Sequence, residues 1–130
     1  MNNNKKEIIP TKSELEILQI LWQHGPSTVR FVNDQMNELK REVQYTGTLK
    51  QMQVMATKGL LVRDESQMKH LYKPAIDEKK TKGAALDQFM DLLFDGSTSK
   101  LMLQIIDSKK PSLDEIKELK NLVNKLDNKK

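Results

Sequence analysis

The chain has 130 residues, of which 37% are hydrophobic, 31% charged and 5% aromatic, and its formal net charge is +4. This length suits one domain, or a small domain with an appendage, and the scarcity of aromatic residues predicts an aliphatic, Met-rich core. Absence of cysteine excludes disulfides, thiolate metal sites and a cysteine nucleophile, and the lack of a long apolar run or signal-peptide core predicts a cytoplasmic protein with no stable membrane insertion.

Basic residues outnumber acidic ones mainly in the first part of the chain. Residues 1–75 carry 11 basic and 8 acidic residues, whereas residues 76–130 carry 11 and 10. This difference favours a phosphate-binding surface in the first part. The alternative is that scattered lysines simply keep a small protein soluble.

The first predicted helix covers residues 12–24. Its leucines and isoleucines recur at helical spacing, and Gly25 and Pro26 end it. Ser13 is the predicted N-cap, with Glu16 three residues later completing a capping box.

Two more helices and a hairpin are predicted next. Residues 28–40 and 46–58 repeat apolar side chains at helical spacing, and Gly59 suits the position after a helix C-cap. Two short strands, at 60–63 and 70–73, enclose a polar tip, which is typical of a β-hairpin.

The remainder of the chain predicts helices at 79–94, 98–107 and 113–127. The last helix repeats apolar residues at alternating steps of three and four, like a coiled-coil seam about two heptads long. Such a seam either binds a partner or packs on the chain's own helices, and the thin layer that the preceding helices offer favours a dimer interface. The predicted dimerisation residues are Leu86, Phe89, Leu93, Leu101, Ile105, Ile116, Leu119, Val123 and Leu126.

Residues for catalysis are lacking. The two histidines, His24 and His70, lie in different elements without a nearby triad pattern, and the chain has neither an HExxH motif nor a glycine-rich phosphate loop. We predict that the protein is not an enzyme and binds no metal or cofactor.

The order helix, helix, helix, hairpin is that of a winged helix-turn-helix, whose third helix enters the DNA major groove. We predict a mainly α protein with a winged-helix DNA-binding domain at 8–75, made of three helices plus a β-hairpin wing, and a helical dimerisation domain at 76–130. The predicted DNA-binding residues are Thr46, Gly47, Thr48, Lys50, Gln51, Val54, Lys58, Arg63 and Lys69.

Side-chain chemistry suggests individual roles on the third helix. Lys50 and Gln51 suit the edges of guanine and adenine, while Val54 either meets a thymine methyl group or belongs to the core. Thr46 either contacts DNA or caps the helix. Arg30 is a weaker candidate for phosphate contact.

Several stretches carry a resemblance to a known family. They include a first helix with its Trp22, and a segment running from Tyr45 without a gap to the Lys58-Gly59 pair. The stretches are residues 10–22, 25–30, 45–61, 71–74, 94–97 and 113–122. Over about residues 9–126 the chain resembles the penicillinase-repressor family.

The resemblance implies a winged-helix DNA-binding domain, a dimerisation arm and repression at near-palindromic operators. It also implies a partner, a membrane sensor metalloprotease that triggers cleavage within the arm. Gln104 and Ile105 align with the family's Asn-Phe cleavage pair. Gly47 and Val54 replace the family's usual Thr and basic residue, so a different operator preference is expected, and the missing cysteines argue against copper sensing.

The sequence therefore predicts a homodimeric repressor that is released from its operator by a proteolytic or conformational event. The alternative is a protein-interaction adaptor that uses the winged helix to bind protein instead of a specific DNA sequence. Salt-dependent binding to duplex DNA distinguishes the two, because only contacts to phosphates release counterions.

Overall fold

The computed structural model describes residues 9–39, 42–66 and 68–127. Its elements follow the predicted order, and the mainly α winged-helix fold is confirmed. In chain order they are α1 Lys12–His24, α2 Val29–Glu38, α3 Tyr45–Thr57, β1 Leu61–Asp64, β2 Leu71–Pro74, α4 Glu78–Phe94, α5 Thr98–Lys109 and α6 Leu113–Asp127.

Two compact units divide the chain, Met1–Ala85 and Leu86–Lys130. The division falls inside α4, whereas the sequence placed the domain boundary before that helix, at residues 75 and 76. None of the helices in the described residues is long and apolar enough to cross a bilayer.

The cap of α1 differs from the predicted one. Thr11, not Ser13, is the N-cap, because Thr11 has the extended backbone that an N-cap needs. The Thr11 hydroxyl accepts the Glu14 backbone N–H at 3.3 Å, and the Glu14 carboxylate accepts the Thr11 N–H at 2.9 Å. The predicted Ser13–Glu16 capping box is therefore wrong by two residues.

The core of the first unit is aliphatic and rich in Met, as composition predicted. Side chains from α1, α2, α3 and the hairpin meet there, and Tyr72 is the largest of the fully buried ones. The buried apolar cluster comprises Ile17, Leu18, Ile20, Leu21, Val29, Val32, Met36, Met52, Met55, Leu60, Leu61 and Tyr72.

The hairpin is held on the helices by backbone hydrogen bonds. Ser27, between α1 and α2, exchanges two bonds with Tyr72 of β2, at 3.0 and 2.8 Å. At the other end, Gly59 ends α3 with a φ of +86°, a left-handed conformation in which glycine lacks the steric penalty of other residues. The hairpin therefore leaves α3 in a fixed direction.

The second unit contains the end of α4, then α5 and α6, and it buries very little. Among its described side chains, Met90 alone is buried. The apolar side chains that it exposes most are Leu86, Phe89, Leu92, Leu93, Leu103, Ile106, Leu113, Leu122 and Val123.

Candidate nucleic-acid interface

One face of α3 is exposed along the whole helix. We call this face the outer stripe, and its members recur at helical spacing, away from the buried Met52 and Met55. The outer stripe consists of Thr46, Gly47, Lys50, Gln53, Val54 and Thr57. It therefore presents hydroxyl, amide, ammonium and methyl groups, which are the groups that read base edges in the major groove.

Thr46, Gly47, Lys50 and Val54 of the predicted DNA-binding set lie on the outer stripe. Val54 is 46% exposed, so its alternative placement in the core is wrong. Thr46 lies inside the helix, whose N-cap is Gln44 without a side-chain cap, so the capping alternative is wrong as well. Both side chains are accessible from outside.

Thr48 corrects the sequence prediction, because it is only 1% exposed. Its hydroxyl accepts a hydrogen bond from the Asn33 amide of α2 at 2.8 Å. The sequence prediction assigned Thr48 to the DNA face because it is polar, but its hydrogen-bond partner lies in the interior. Thr48 therefore holds α3 on α2 and is not available to DNA.

Gln51 and Lys58 were also predicted to contact DNA, and both are directed towards α1. The Gln51 amide donates to the Ser13 hydroxyl at 2.8 Å. The Lys58 ammonium lies 2.5 Å from the Glu14 carboxylate. Neither side chain belongs to the outer stripe.

The wing carries exposed charges near its tip. The Arg63 guanidinium donates to the Glu65 carboxylate, and its hydrogen bonds with Glu65 and then Tyr72 raise the pKa of Arg63. Hydrogen bonds from Ser66 lower the pKa of Asp64, with a smaller contribution from a nearby lysine. The Glu65 carboxylate therefore partly neutralises the charge of Arg63. Lys69 is exposed at the tip of the wing.

A cleft of about 520 Å³ opens between α2, α3 and the wing. Among the described residues, its lining includes three basic side chains and one histidine, and no carboxylate. The lining residues are Thr28, Val29, Arg30, Tyr45, Leu49, Gln53, Arg63, Lys69, His70 and Tyr72. Inside it, the Arg30 guanidinium lies 4.5 Å from the Tyr45 ring centroid, a cation–π distance that orients the side chain.

Two cleft residues had little or no place in the sequence prediction: Arg30 was a weaker candidate, and Gln53 was not a candidate. Both contribute to the cleft, and Gln53 also belongs to the outer stripe. The signal for Gln53 was its spacing three residues after Lys50, which places the two on one helix face. The error came from assigning Gln51 to that face.

The model of the family described as "Penicillinase repressor" matches residues 10–125. The chain belongs to the penicillinase-repressor family. It is accordingly a DNA-binding transcriptional regulator. No curated protein matches it significantly.

Among solved structures, this penicillinase-repressor family member is similar to a MarR family protein from Bacillus stearothermophilus. The TM-score is 0.55 at 18% sequence identity, covering 92% of this chain and 74% of the other. At this identity the likeness shows the fold alone, and that fold agrees with the winged helix described above.

The predicted dimerisation residues of this family member fall into two groups. Leu86, Phe89, Leu93 and Val123 are exposed. A second group is half-buried, consisting of Leu101, Ile105, Ile116 and Leu119. The side chain of Leu126 lies outside the described residues. Leu113, which begins the predicted seam, is exposed as well, and so are four side chains outside the predicted set, Leu92, Leu103, Ile106 and Leu122.

The predicted cleavage pair lies within α5. Gln104 is exposed and its amide donates to the Ser108 hydroxyl at 2.5 Å, whereas Ile105 is half-buried. Both residues have helical backbone, so their peptide bond does not have the extended conformation of a surface loop.

Proposed function

We propose that this regulator is a homodimeric repressor that binds a near-palindromic operator with α3 in the major groove. The observation that carries the proposal is the outer stripe of α3 lying beside a cleft lined by basic side chains. The stripe supplies groups for base edges, and the cleft supplies cations for the flanking backbone.

Direct readout is assigned to the middle of the outer stripe. Lys50 is exposed there, one turn from Gly47 and one turn from Val54. Its ammonium suits guanine O6 and N7, the Gln53 amide suits adenine N6 and N7, and the Val54 methyl groups suit a thymine methyl.

Backbone contacts are assigned to the cleft and to the wing tip. Arg30 enters the cleft from the first turn of α2, and Lys69 enters it from the wing. Positive charge from two separate elements would bind phosphates on either side of the base-reading helix. Such contacts fix the register of a protein on duplex DNA without reading sequence.

Dimerisation is supported by the lack of a core in the second unit. With Met90 as the one buried side chain among those described there, the unit cannot offset the entropy of ordering its own helices. Its exposed apolar side chains need a covering surface. We assign that surface to a second copy of the chain, since two-fold homodimers are the commonest closed assembly.

Release from the operator would follow from loss of the second unit. A two-fold dimer holds two half-sites at once, and linkage of this kind strengthens binding by roughly 10²–10⁴ over one half-site. Cutting α5 near Gln104 and Ile105 would separate α6 from the DNA-binding unit, and the operator would be vacated although both winged helices stay intact. A membrane sensor metalloprotease remains the predicted agent of that cut.

Selection from a random pool of duplexes tests the function directly. The unmodified chain should enrich a near-palindromic sequence, and log affinity should fall linearly with log salt concentration, by about 0.9 per phosphate contacted. Lys50→Ala should cost about 1–3 kcal/mol per half-site and relax preference at one position. Lys117→Ala in α6 removes the same charge elsewhere and is the matched control.

Two outcomes would contradict the proposal. Absence of any enriched sequence, with no salt-dependent binding, would favour the adaptor alternative. Equal effects of the Lys50 and Lys117 substitutions would show that α3 does not face the bases.

A further inference from the structure

The first turn of α1 touches α3 at two points that have no part in the apolar core. The Ser13 hydroxyl accepts from the Gln51 amide at 2.8 Å, and the Glu14 carboxylate lies 2.5 Å from the Lys58 ammonium. Residues 13 and 14 are adjacent, so one short segment contacts both places on α3.

The Glu14 side chain is well suited to act as a fixed anchor. It is only 7% exposed, and its second oxygen accepts the Thr11 N–H at 2.9 Å in the capping box. Burial raises the pKa of Glu14, but hydrogen bonds from Lys58 and Thr11 and the positive charge of Lys58 lower the pKa more, to below its ordinary value. The carboxylate is therefore ionised at neutral pH and held on both sides.

The spacing of the two contacts along α3 restricts its motion. Gln51 and Lys58 are seven residues apart, about two turns or 10 Å along the helix axis. A single contact would leave α3 free to pivot about it, whereas two contacts on one edge resist both rotation and tilt. The second contact also lies at the C-cap, immediately before Gly59 and the wing.

We propose that Ser13 and Glu14 are positioning residues for DNA recognition, and that Gln51 and Lys58 serve as their attachment points on α3 and do not contact DNA. The contacts set the rotation of the outer stripe relative to the groove, and hence which bases Lys50 and Val54 meet. This inference rests on the proposed DNA-binding function.

The opposing assignment makes Lys58 a phosphate contact, and the two make different predictions. If Lys58 binds phosphate, Glu14 competes for its charge, so removing the carboxylate should strengthen binding. If Glu14 positions α3 through Lys58, neutralising either partner should weaken specific binding, because either change removes the same ion pair.

The test compares Glu14→Gln, Lys58→Gln and the double variant in the full-length chain. The probes are the duplex enriched from a random pool by the unmodified chain and an unrelated duplex of equal length. We expect each single variant to lose about tenfold in affinity for the enriched duplex, the value of one lost base contact. Affinity for the unrelated duplex and the salt slope should change little, and the double variant should bind no more weakly than the weaker single variant.

Other outcomes would overturn the inference. A stronger-binding Glu14→Gln variant, or a Lys58→Gln variant whose salt slope falls by about one unit, identifies Lys58 as a phosphate contact. An unchanged ratio of the two affinities shows that the ion pair contributes at most to stability.

Folding is checked through the fluorescence of Trp22, the one tryptophan of the chain. If Glu14→Gln fails to fold, Ser13→Ala and Gln51→Leu test the other contact, with the same expected loss of the affinity ratio. If the unmodified chain enriches no duplex, the proposed DNA-binding function fails before the variants are compared, so the two failures are distinguishable.

Discussion

Asn33 joins three parts of the winged helix through one buried amide. It is 4% exposed in α2, and its Nδ2 donates to the Val43 carbonyl at 2.9 Å and to the Thr48 hydroxyl at 2.8 Å. The turn before α3 and α3 itself are thus both attached to the same side chain. We predict that Asn33→Ala destabilises the first unit strongly.

The expected magnitude follows from the groups left behind. Both hydrogen bonds donated by Nδ2 are lost, each with a net value of about 0.5–1.5 kcal/mol. The longer bond that Asn33 Oδ1 accepts from the Asn37 amide, at 3.4 Å, is lost with them and adds little. The Thr48 hydroxyl, 1% exposed, would also be cut off from water, and an unsatisfied buried group costs about 1–3 kcal/mol. We therefore expect a loss of about 2–4 kcal/mol in the free energy of unfolding.

Equilibrium unfolding in urea, followed by Trp22 fluorescence, measures this loss. Trp22 lies in α1, within the first unit, so its signal reports the domain that the substitution affects. Protein concentration must be held constant, because the proposed dimerisation would couple stability to concentration. Asp34→Ala, at the exposed neighbouring position, is the matched control and should change stability by no more than about 0.5 kcal/mol.

A double-mutant cycle with Thr48→Val separates the hydrogen bond from general disruption of α2. If the bond contributes to stability, the double variant Asn33→Ala/Thr48→Val should lose less stability than the sum of the two single variants. The reason is that the double variant contains neither partner of this bond, so neither is left unpaired. Strict additivity, or an Asn33→Ala effect no larger than that of the control, would refute the reasoning.

Three further predictions concern the association surface, the ion pair and the end of α3. Leu103→Asp, at a side chain 67% exposed, should shift the sedimenting species from dimer to monomer, while Ser108→Asp on the same helix should not, and equal masses for both would contradict the assigned interface. The pKa of Glu14 is lowered in the folded state, so its contribution to stability is complete above its unfolded pKa of about 4.3 and is lost as pH falls through the folded pKa. The difference in unfolding free energy between the unmodified chain and Glu14→Gln should therefore close over that acidic range. A difference that does not depend on pH would exclude the ion pair as its cause. Gly59→Ala should destabilise the protein by about 1–2 kcal/mol, because the φ of Gly59 is +86°. Gly47 lies inside a helix with open space around it, so Gly47→Ala should stabilise the protein by about 0.5–1 kcal/mol. Urea midpoints that move in the same direction for both variants would contradict this backbone argument.

Local sequence was sufficient to locate the elements of this fold. The predicted first helix at 12–24 coincides with Lys12–His24, and the predicted third helix at 46–58 is displaced by one residue from Tyr45–Thr57. Helical periodicity and the glycine after α3 are short-range signals, because each depends on residues within a few turns of one another. The order of elements then identified the winged helix.

The use of individual polar residues on α3 depended on contacts distant in sequence. Thr48 is paired with Asn33, and Lys58 with Glu14, across separations of 15 and 44 residues. A helix rotates by about 100° per residue, so a small error in its rotation exchanges buried and exposed neighbours. The sequence alone placed Thr48, Gln51 and Lys58 on the exposed face, because their partners on α1 and α2 are far away in the sequence.

The second unit illustrates the same limit at a larger scale. The apolar periodicity of residues 113–127 by itself determined an amphipathic helix, since spacing along one chain fixes which residues share a face. It did not determine what covers that face. The tertiary structure decided that almost nothing within the unit does so, with Met90 alone buried among its described side chains, because burial depends on which surfaces come together and not on the periodicity of either one.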